Sequence, residues 1–290
     1  MNVLLLGSTG WIGKNIQNQR LNWNWTGIST KKCNLEDCSQ VDNIVGKFDI
    51  IIHAAGFYGG LQFNKKYKEQ ILFKNLQMNI NVCRLVSRIQ PKKFVIIGSA
   101  CVYPSHSKKL IESMIGNRTF HSSVKYSAMA KINLLDLACA LDTNFEYLVV
   151  SNAYGPGEHV SFEKSHIVGS LINKIKNSNG SLKMIGTGVA VRDYIYIEDV
   201  AEAVCRYAEL EKSTNSCTNI SNGEKTSVKD IVKILLKLHQ KNLNIIWGDP
   251  KDDGVLYKVL DNTKMQKEIF YKPKIELKEG LEKTWRSFNA

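Results

Sequence analysis

The chain has 290 residues, of which 43% are hydrophobic, so it can bury the core of one large α/β domain with or without a smaller lobe. No stretch approaches the roughly 20 uninterrupted apolar residues that cross a bilayer, and the apolar start lacks the basic region and cleavage site of a signal peptide. Seven scattered cysteines without a C-x-x-C pair favour a reducing cytoplasm and argue against a disulfide scaffold or a zinc site.

The net charge of +12 raises the question of a nucleic-acid partner. The lysines are spread along the chain, however, and no basic run is interleaved with aromatic residues. We therefore expect a solvated lysine-rich surface, with no nucleic-acid partner and no membrane partner. A milder functional interpretation is that the charge attracts an anionic substrate such as a nucleotide diphosphate.

The chain begins with an apolar strand that runs into a glycine-rich turn and a helix. This turn consists of Gly7, Ser8, Thr9, Gly10, Trp11, Ile12 and Gly13. Gly7 permits a tight turn, Gly10 lets the backbone approach a pyrophosphate, and Gly13 allows close packing of helix on strand. The pyrophosphate would lie at the helix N-terminus near Trp11. A plain strand–helix turn also needs glycine, but the flanking elements favour a dinucleotide site.

Short apolar runs then alternate with helical patterns. The predicted strands are Val3–Leu6, Trp25–Ser29, Ile50–His53, Lys93–Ile97 and Glu146–Val150. Apolar residues at helical spacing cover Phe73–Ile89 and Lys131–Leu141. Repeated strand–helix units predict an α/β fold with a doubly wound parallel sheet of the Rossmann type, whose ligand lies at the carboxyl ends of the strands.

The pattern becomes less regular after Tyr154, which predicts a smaller C-terminal lobe that binds substrate. We assign residues 1–154 to the dinucleotide-binding domain and expect residues 187–215 to return to it. Residues 155–186 and 216–290 are assigned to the lobe.

The predicted second strand ends in a basic turn that contains Ser29, Thr30, Lys31 and Lys32, with no acid at its tip. An Asp or Glu there would bind a ribose hydroxyl of NAD, whereas hydroxyls and lysines suit a 2′-phosphate. The sequence therefore favours NADP(H) over NAD, with an exposed basic turn as the alternative.

We expect three further segments with polar or reactive side chains to lie at the carboxyl edge of the predicted sheet. They are His53-Ala54-Ala55-Gly56, Gly98 through Pro104, and Tyr126 through Lys131. With these motifs the chain resembles the extended short-chain dehydrogenase/reductases, and among them the GDP-L-fucose synthase branch. The resemblance runs from Met1 to about Arg286, and its remaining motifs are Asn34–Asp37, Gly56–Gly60, Asn152–Pro156, Ser165-His166 and Arg192–Asp199.

The resemblance implies an NADP(H)-dependent enzyme that epimerises C3 and C5 of a 4-keto-6-deoxyhexose nucleotide and then reduces C4. Beyond the glycine turn, the implied cofactor-binding residues are Ser29, Lys31, Lys32, Asn34, Leu35, Ala54, Ala55, Gly56, Tyr126, Lys131 and Asn152. The implied substrate-binding residues are Ser99, Asn152, His166, Lys174 and Arg192. Lys174 and Arg192 fall where the family places basic groups near the substrate diphosphate, although both could be surface charges.

The resemblance also implies catalytic roles. Cys101 and His166 fall on the family's proton-transfer positions for epimerisation. Ser99 would hydrogen-bond the substrate oxygen, the tyrosine would donate a proton to it, and Lys131 would lower the pKa of the tyrosine. The alternatives are a small buried thiol for Cys101 and a structural histidine for His166.

The spacing of tyrosine and lysine departs from the family pattern Tyr-x-x-x-Lys, because Tyr126 and Lys131 are five residues apart. On a continuous helix the extra residue adds roughly 100° of rotation. Tyr126 could precede the first turn or lie beside a bulge and still reach the site, which we favour slightly. Alternatively, Ser127 fills the tyrosine position and reduction is weakened or lost.

A second departure is Ile185, where the branch usually has tryptophan, so the sugar and the nucleotide stay open. An enzyme with only one of the two activities, and a non-catalytic dinucleotide sensor, are the rival functions. The helices Phe73–Ile89 and Lys131–Leu141 are apolar on more than one face. In this superfamily such a pair often forms a dimer interface, so we expect a homodimer; burial on both sides within a monomer would give the same pattern.

Overall fold

The computed structural model describes residues 1–105, 110–158, 166–240 and 242–288. The strands are β1 Asn2–Leu6, β2 Asn24–Ile28, β3 Ile50–His53, β4 Lys93–Ser99, β5 Phe145–Val150, β6 Asn152–Tyr154, β7 Ser181–Lys183, β8 Val191–Arg192, β9 Tyr194–Tyr196, β10 Ser216–Ile220, β11 Thr226–Ser227, β12 Asn244–Ile246 and β13 Tyr257–Lys258. The helices are α1 Trp11–Gln19, α2 Cys38–Asp42, α3 Leu61–Lys66, α4 Lys68–Ile89, α5 Lys125–Cys139, α6 Ile167–Asn177, α7 Ile197–Glu209, α8 Val228–His239, α9 Thr263–Ile269 and α10 Leu277–Ser287.

The largest sheet has the strand order β10-β5-β4-β3-β1-β2, and all of its neighbouring strands are parallel. The chain moves from β1 to β2 on one side and then to β3 on the other, so the strand order reverses at β1. Ligands of such sheets bind at this reversal, outside the carboxyl ends of the strands. The predicted α/β doubly wound fold is confirmed.

Helices cover both faces of this sheet. Leu4 and Leu6 of β1 point into a core layer shared with α4 and α5, whereas Val3 and Leu5 point into a second layer shared with α1 and α7. Successive residues of a strand face opposite sides, so a strand buried on both faces needs a continuous apolar run. The central strands could be predicted from the sequence because each of them is such an apolar run.

The smaller lobe has its own apolar core. Val168 of α6, Ile231 of α8 and Leu281 of α10 meet there. The strands of this region pair as β11-β8-β13 and β12-β7. Its aromatic boundary with the large sheet includes Tyr154 and Tyr196, whose ring centroids are 5.6 Å apart.

The large sheet takes in residues that our domain boundaries assigned to the lobe. Strand β10, Ser216–Ile220, is its edge strand and pairs in parallel with β5. Met265 and Ile269 of α9 pack in the same core layer as β1. The sequence of β10 is too polar to be recognised as a strand, because its place in the sheet depends on pairing with a distant segment.

The five predicted strands agree with β1 to β5 to within two residues at each end. The predicted helix Phe73–Ile89 is part of α4, which begins at Lys68. The predicted helix Lys131–Leu141 starts six residues after the beginning of α5 at Lys125 and ends two residues beyond its last residue, Cys139. Within the described parts of the chain, no helix has the length and apolarity that a membrane crossing requires.

Candidate active site

A cavity of about 490 Å³ lies at the carboxyl edge of the large sheet, between the sheet and the smaller lobe. Its floor is formed by the segments that follow β3, β4 and β5, and α6 and β8 contribute the opposite wall. The predicted site residues that line it are Trp11, Ile12, Ala54, Ala55, Gly56, Ser99, Cys101, Lys131, Asn152, His166, Lys174 and Arg192.

The glycine turn after β1 has the geometry of a phosphate cradle. Gly7 has φ +89°, and a Cβ there would lie 2.7 Å from the backbone nitrogen of Ala55. A Cβ on Gly13 would lie 2.3 Å from the carbonyl oxygen of Gly7. Helix α1 begins at Trp11 after Gly10, and in the described structure no side chain caps its first N–H groups. These features fit the pyrophosphate of a dinucleotide; Ser8 and Thr9 complete the turn.

The turn after β2 contains Ser29, Lys31 and Lys32 and no acidic side chain. Both lysines are exposed, and Lys32 Nζ donates a hydrogen bond of 3.2 Å to a carbonyl oxygen of β2. Asn34 Oδ1 accepts a backbone hydrogen bond at 3.1 Å, and Leu35 is buried in the core. None of these five is among the described residues that line the cavity. The two exposed lysines, Lys31 and Lys32, form a basic rim beyond the glycine turn.

Ser99 and Cys101 stand at the carboxyl end of β4. The strand ends at Ser99, and a 3₁₀ turn over Ala100–Val102 follows. Ser99 Oγ accepts a hydrogen bond of 3.4 Å from the backbone N–H of Cys101, which fixes the turn. Cys101 is 8% exposed and lines the cavity. The thiol is therefore a buried group of the core layer that also forms part of the cavity wall.

Lys131 is a desolvated cation at the base of the cavity. Its Nζ donates a hydrogen bond of 2.6 Å to the carbonyl oxygen of Ile97 in β4. Burial lowers the pKa of Lys131 to about 8, and charge on Cys101 opposes that shift. Burial, and then the charge of Lys131, lower the pKa of the neighbouring His53 to about 3. Near neutral pH, therefore, Lys131 is mostly charged and His53 is neutral.

Helix α5 settles how tyrosine and lysine are spaced. The helix runs from Lys125 to Cys139, so Tyr126 lies inside its first turn. Ser127, four residues before Lys131, is 6% exposed and lines the cavity with it. Four residues nearly complete one helical turn, which brings Ser127 and Lys131 to one face. Tyr126 is not among the described residues that line the cavity.

His166 enters the cavity from the lobe as the N-cap residue of α6. Its backbone N–H donates a hydrogen bond of 2.6 Å to Glu158 Oε1. Glu158 is 4% exposed, and burial raises its pKa to about 7. A carboxylate at a helix N-terminus interacts favourably with the helix dipole, so Glu158 holds the helix start that carries His166. Ser165, the partner of His166 in the predicted motif, lies outside the described residues.

Three basic side chains line the lobe side of the cavity. Lys174 Nζ donates to the carbonyl oxygen of Lys183 at 3.4 Å, and Arg192 donates to that of Val191 at 2.9 Å. Lys258 lies opposite Arg192 in the β8–β13 pair. Burial lowers the pKa of each of the three, that of Lys258 to about 8. Such a group of desolvated cations is suited to bind an anion.

Sequence reasoning missed Tyr58, Asn64 and Lys258, which also line the cavity. Lys258 comes to the site through strand pairing with a segment far away in the sequence, for which no local signal exists. Tyr58 lies within the motif Gly56–Gly60, in which the glycines alone suggested a function. The signal that could have identified Tyr58 is a large aromatic residue in a glycine-rich segment.

The family model of the NAD dependent epimerase/dehydratase family matches residues 3–221. The chain is 26% identical over 302 residues to the GDP-L-colitose synthase of Yersinia pseudotuberculosis, covering 99% of this chain and 98% of that protein. It is 25% identical over 303 residues to the probable GDP-L-fucose synthase 1 of Oryza sativa subsp. japonica, covering 98% and 90%. A GDP-L-fucose synthetase from Naegleria fowleri bound to NADP has a TM-score of 0.87 at 21% identity, with 99% and 92% coverage.

Proposed function

The chain belongs to the NAD dependent epimerase/dehydratase family, and on that premise we propose that it is an NADP(H)-dependent nucleotide-sugar epimerase and reductase. Its substrate is a GDP-linked 4-keto-6-deoxyhexose, which it inverts at C3 and C5 and then reduces at C4. One observation carries the proposal: Ser99, Cys101, Lys131 and His166 come from distant segments and line one cavity. A dinucleotide sensor would need neither the Cys101 thiol nor the His166 imidazole.

The proposed epimerisation uses Cys101 and His166. A 4-keto group makes the hydrogens at C3 and C5 acidic, and inversion requires a base on one face of the sugar and an acid on the other. Cys101 belongs to the sheet wall and His166 to the lobe wall, so a sugar between them would present one face to each. The thiolate removes a proton, and the imidazolium returns one.

The proposed reduction uses Ser99 and Lys131. NADPH, when bound along the glycine turn, supplies the hydride that adds to C4. Ser99 donates a hydrogen bond to the C4 oxygen, and Lys131 holds the nicotinamide ribose and stabilises developing negative charge. Asn152, which follows β5, orients the sugar at the same edge of the sheet.

The cofactor preference rests on Lys31 and Lys32, because cations without a neighbouring acid at the end of β2 suit a 2′-phosphate. Lys174, Arg192 and Lys258 bind the substrate diphosphate. Titration of the protein with NADPH and with NADH, followed by nicotinamide fluorescence, tests the preference. We expect the wild type to bind NADPH more tightly than NADH, and we expect this preference to disappear when both lysines are replaced by alanine. Equal affinities of the wild type for the two cofactors would refute the proposed preference.

The function is tested by mixing the protein with NADPH and GDP-4-keto-6-deoxymannose in heavy water. Loss of the nicotinamide absorbance reports reduction, and deuterium in the sugar reports epimerisation. We expect both signals. Binding of the nucleotides with neither signal would refute the proposal and favour the sensor.

A second candidate, an epimerase without reduction, is favoured by Ser127 in the position that the family gives to tyrosine. That enzyme would incorporate deuterium without consuming NADPH. The same experiment therefore separates the two candidates.

We also propose that the protein is a homodimer in the cytoplasm. Helices α4 and α5 pack together, and Asn79 of α4 donates a hydrogen bond of 2.8 Å to the carbonyl oxygen of Ala130 in α5. Phe73 and Ile80 of α4 and Met129 of α5 are exposed, which supports an apolar contact surface on this pair. The seven cysteines without a C-x-x-C pair support a reducing compartment.

A further inference from the structure

The cavity contains a tyrosine, Tyr58, to which the resemblance assigns no role. Tyr58 follows β3 and lines the cavity together with Ser127 and Lys131. Lys131 Nζ lies over the Tyr58 ring, 4.7 Å from its centroid. The ring also packs against Gly56, where a Cβ would lie 2.3 Å from ring atom Cε2. A phenol ring therefore lies beside the Lys131 ammonium, although the residue four positions before Lys131 in helix α5 is a serine.

The small side chain of Ser127 connects directly to the loop that carries Tyr58. Ser127 Oγ donates a hydrogen bond to Asn64 Oδ1. Asn64 Nδ2 in turn donates to the carbonyl oxygens of Gly59 and Gly60, at 2.8 and 2.9 Å. Ser127, which replaces a tyrosine at this position of the helix, thus supports the two residues that follow Tyr58.

A second amide holds the residue that precedes Tyr58. Asn75 of α4 is 1% exposed. Its Oδ1 accepts a hydrogen bond of 2.8 Å from the backbone N–H of Phe57, and its Nδ2 donates to the carbonyl oxygen of Phe57 at 3.0 Å. The backbone of Tyr58 is therefore fixed on both sides by asparagine side chains. Such a hold positions a functional side chain with little freedom to move.

We propose that the Tyr58 hydroxyl, and not a tyrosine of helix α5, donates the proton to the C4 oxygen during reduction. The inference rests on the proposed function. In the step, C4 of the sugar accepts a hydride from NADPH, which is oxidised to NADP⁺, and the carbonyl π bond breaks. The C4 oxygen takes the hydroxyl proton of Tyr58, and the resulting phenolate, beside the Lys131 ammonium, is reprotonated by water.

The protonation state of Tyr58 agrees with this role. Desolvation in the cavity raises the pKa of Tyr58 well above its usual value, and charge on Cys101 raises it further. At neutral pH the hydroxyl therefore keeps its proton and can act as a donor. Among the described residues, none hydrogen-bonds to this hydroxyl, which leaves it available to a substrate oxygen.

The variant Tyr58→Phe tests the inference because it keeps the ring and removes the hydroxyl. We expect NADPH oxidation to slow by about 100-fold or more, the usual contribution of a positioned acid. Two other measurements should stay at the wild-type level: NADPH affinity by fluorescence titration, and deuterium incorporation into the sugar without NADPH. These two show that the variant is folded and that its cavity is intact.

The matched control is Tyr67→Phe, which removes a hydroxyl from a tyrosine that packs against Phe63 with the ring centroids 4.7 Å apart. Tyr67 does not line the cavity among the described residues, and the control should reduce substrate at the wild-type rate.

The outcomes separate this inference from the proposed function. If Tyr58→Phe oxidises NADPH at the wild-type rate and Tyr126→Phe does not, the inference is overturned and the proposed function stays intact. If both variants oxidise NADPH at the wild-type rate, the inference is overturned as well. A wild type that binds NADPH and incorporates deuterium but oxidises no NADPH would refute the reduction itself.

Discussion

Cys101 and His166 are the two side chains on which the proposed epimerisation depends, and they face the cavity from the sheet and from the lobe. Cys101→Ala should lower deuterium incorporation at C3 and C5 by about 100-fold or more, because it removes the base without disturbing the glycine turn. Mass spectrometry of the recovered sugar nucleotide measures this.

Cys83→Ala is the matched control, since Cys83 is a buried thiol of the same core layer that does not line the cavity among the described residues. It should exchange at the wild-type rate. Exchange that survives in Cys101→Ala would assign the base to another residue.

Glu158 makes the folded state sensitive to pH. Its pKa is raised to about 7 from the ordinary value of 4.5, mainly by burial. A raised carboxyl pKa means that the folded state binds the proton more tightly than the unfolded state does. The free energy of unfolding should therefore fall as the pH rises from about 4.5 and level off above about 7.

Glu158→Gln should remove this pH dependence, because the amide oxygen can still accept from the His166 N–H while no charge is buried. Well above pH 7 the variant should be more stable than the wild type by roughly 3 kcal/mol. Urea denaturation at pH 5 and pH 8 measures the difference, with the exposed Glu224→Gln as control. An unchanged pH dependence in Glu158→Gln would show that Glu158 does not ionise in this range.

At the scale of elements, the contact between α5 and the loop after β3 shapes the site. Ser127→Ala removes the hydrogen bond to Asn64 and with it the support under Gly59 and Gly60. We expect C4 reduction to slow by roughly tenfold, because small displacements of a reacting group lower the rate. Deuterium incorporation should not change.

The exposed serine Ser122 provides the control for this prediction, as Ser122→Ala. NADPH oxidation by Ser127→Ala at the full rate would mean that the hydrogen bond to Asn64 does not position Tyr58.

One buried carboxylate, that of Asp199, joins α7 to the segment that follows α9. Asp199 accepts hydrogen bonds from the Tyr271 hydroxyl at 2.5 Å and from the backbone N–H groups of Lys274 and Ile275 at 2.8 and 3.1 Å. Asp199→Ala leaves these donors unpaired and should lower the free energy of unfolding by about 3 kcal/mol. Denaturant titration measures this loss. An effect no larger than that of the exposed Glu198→Ala would contradict it.

Elements with local signals could be predicted from the sequence. Each of the strands β1, β3 and β4 can be recognised from its own short apolar run, and the glycine turn from its own glycine spacing. The polar strand β10 could not be recognised, because only its pairing with β5 makes it a strand. The spacing between Tyr126 and Lys131 raised the question of Ser127, but no local pattern links Lys131 to Tyr58, which contacts it from another loop.

At the scale of the whole molecule, the cavity exists only because the lobe covers the edge of the sheet. Ser99 and Cys101 could be placed at that edge from the sequence, since both follow an apolar strand. Lys258 could not, because its position depends on how the lobe folds back over the sheet. The chemistry of the sheet wall was thus more predictable than that of the lobe wall.

The proposed dimer places the exposed apolar residues of α4 between two subunits. Phe73 and Ile80 are 65% and 46% exposed and lie on one face, two helical turns apart. Replacing both with glutamate should convert the dimer to a species of 32.7 kDa in sedimentation, because two charges would be buried at the contact. Phe270→Glu, at a residue that is 87% exposed, is the control. A wild type that sediments at 32.7 kDa would refute the dimer.

The central claim is that one cavity brings a cofactor and a sugar together between the sheet and the lobe. A crystal structure of the protein with NADP⁺ and a GDP-hexose tests it most directly. We expect the nicotinamide to lie beside Lys131, the sugar between Cys101 and His166, and the Tyr58 hydroxyl at the C4 oxygen. A cofactor or sugar bound away from these side chains would contradict it.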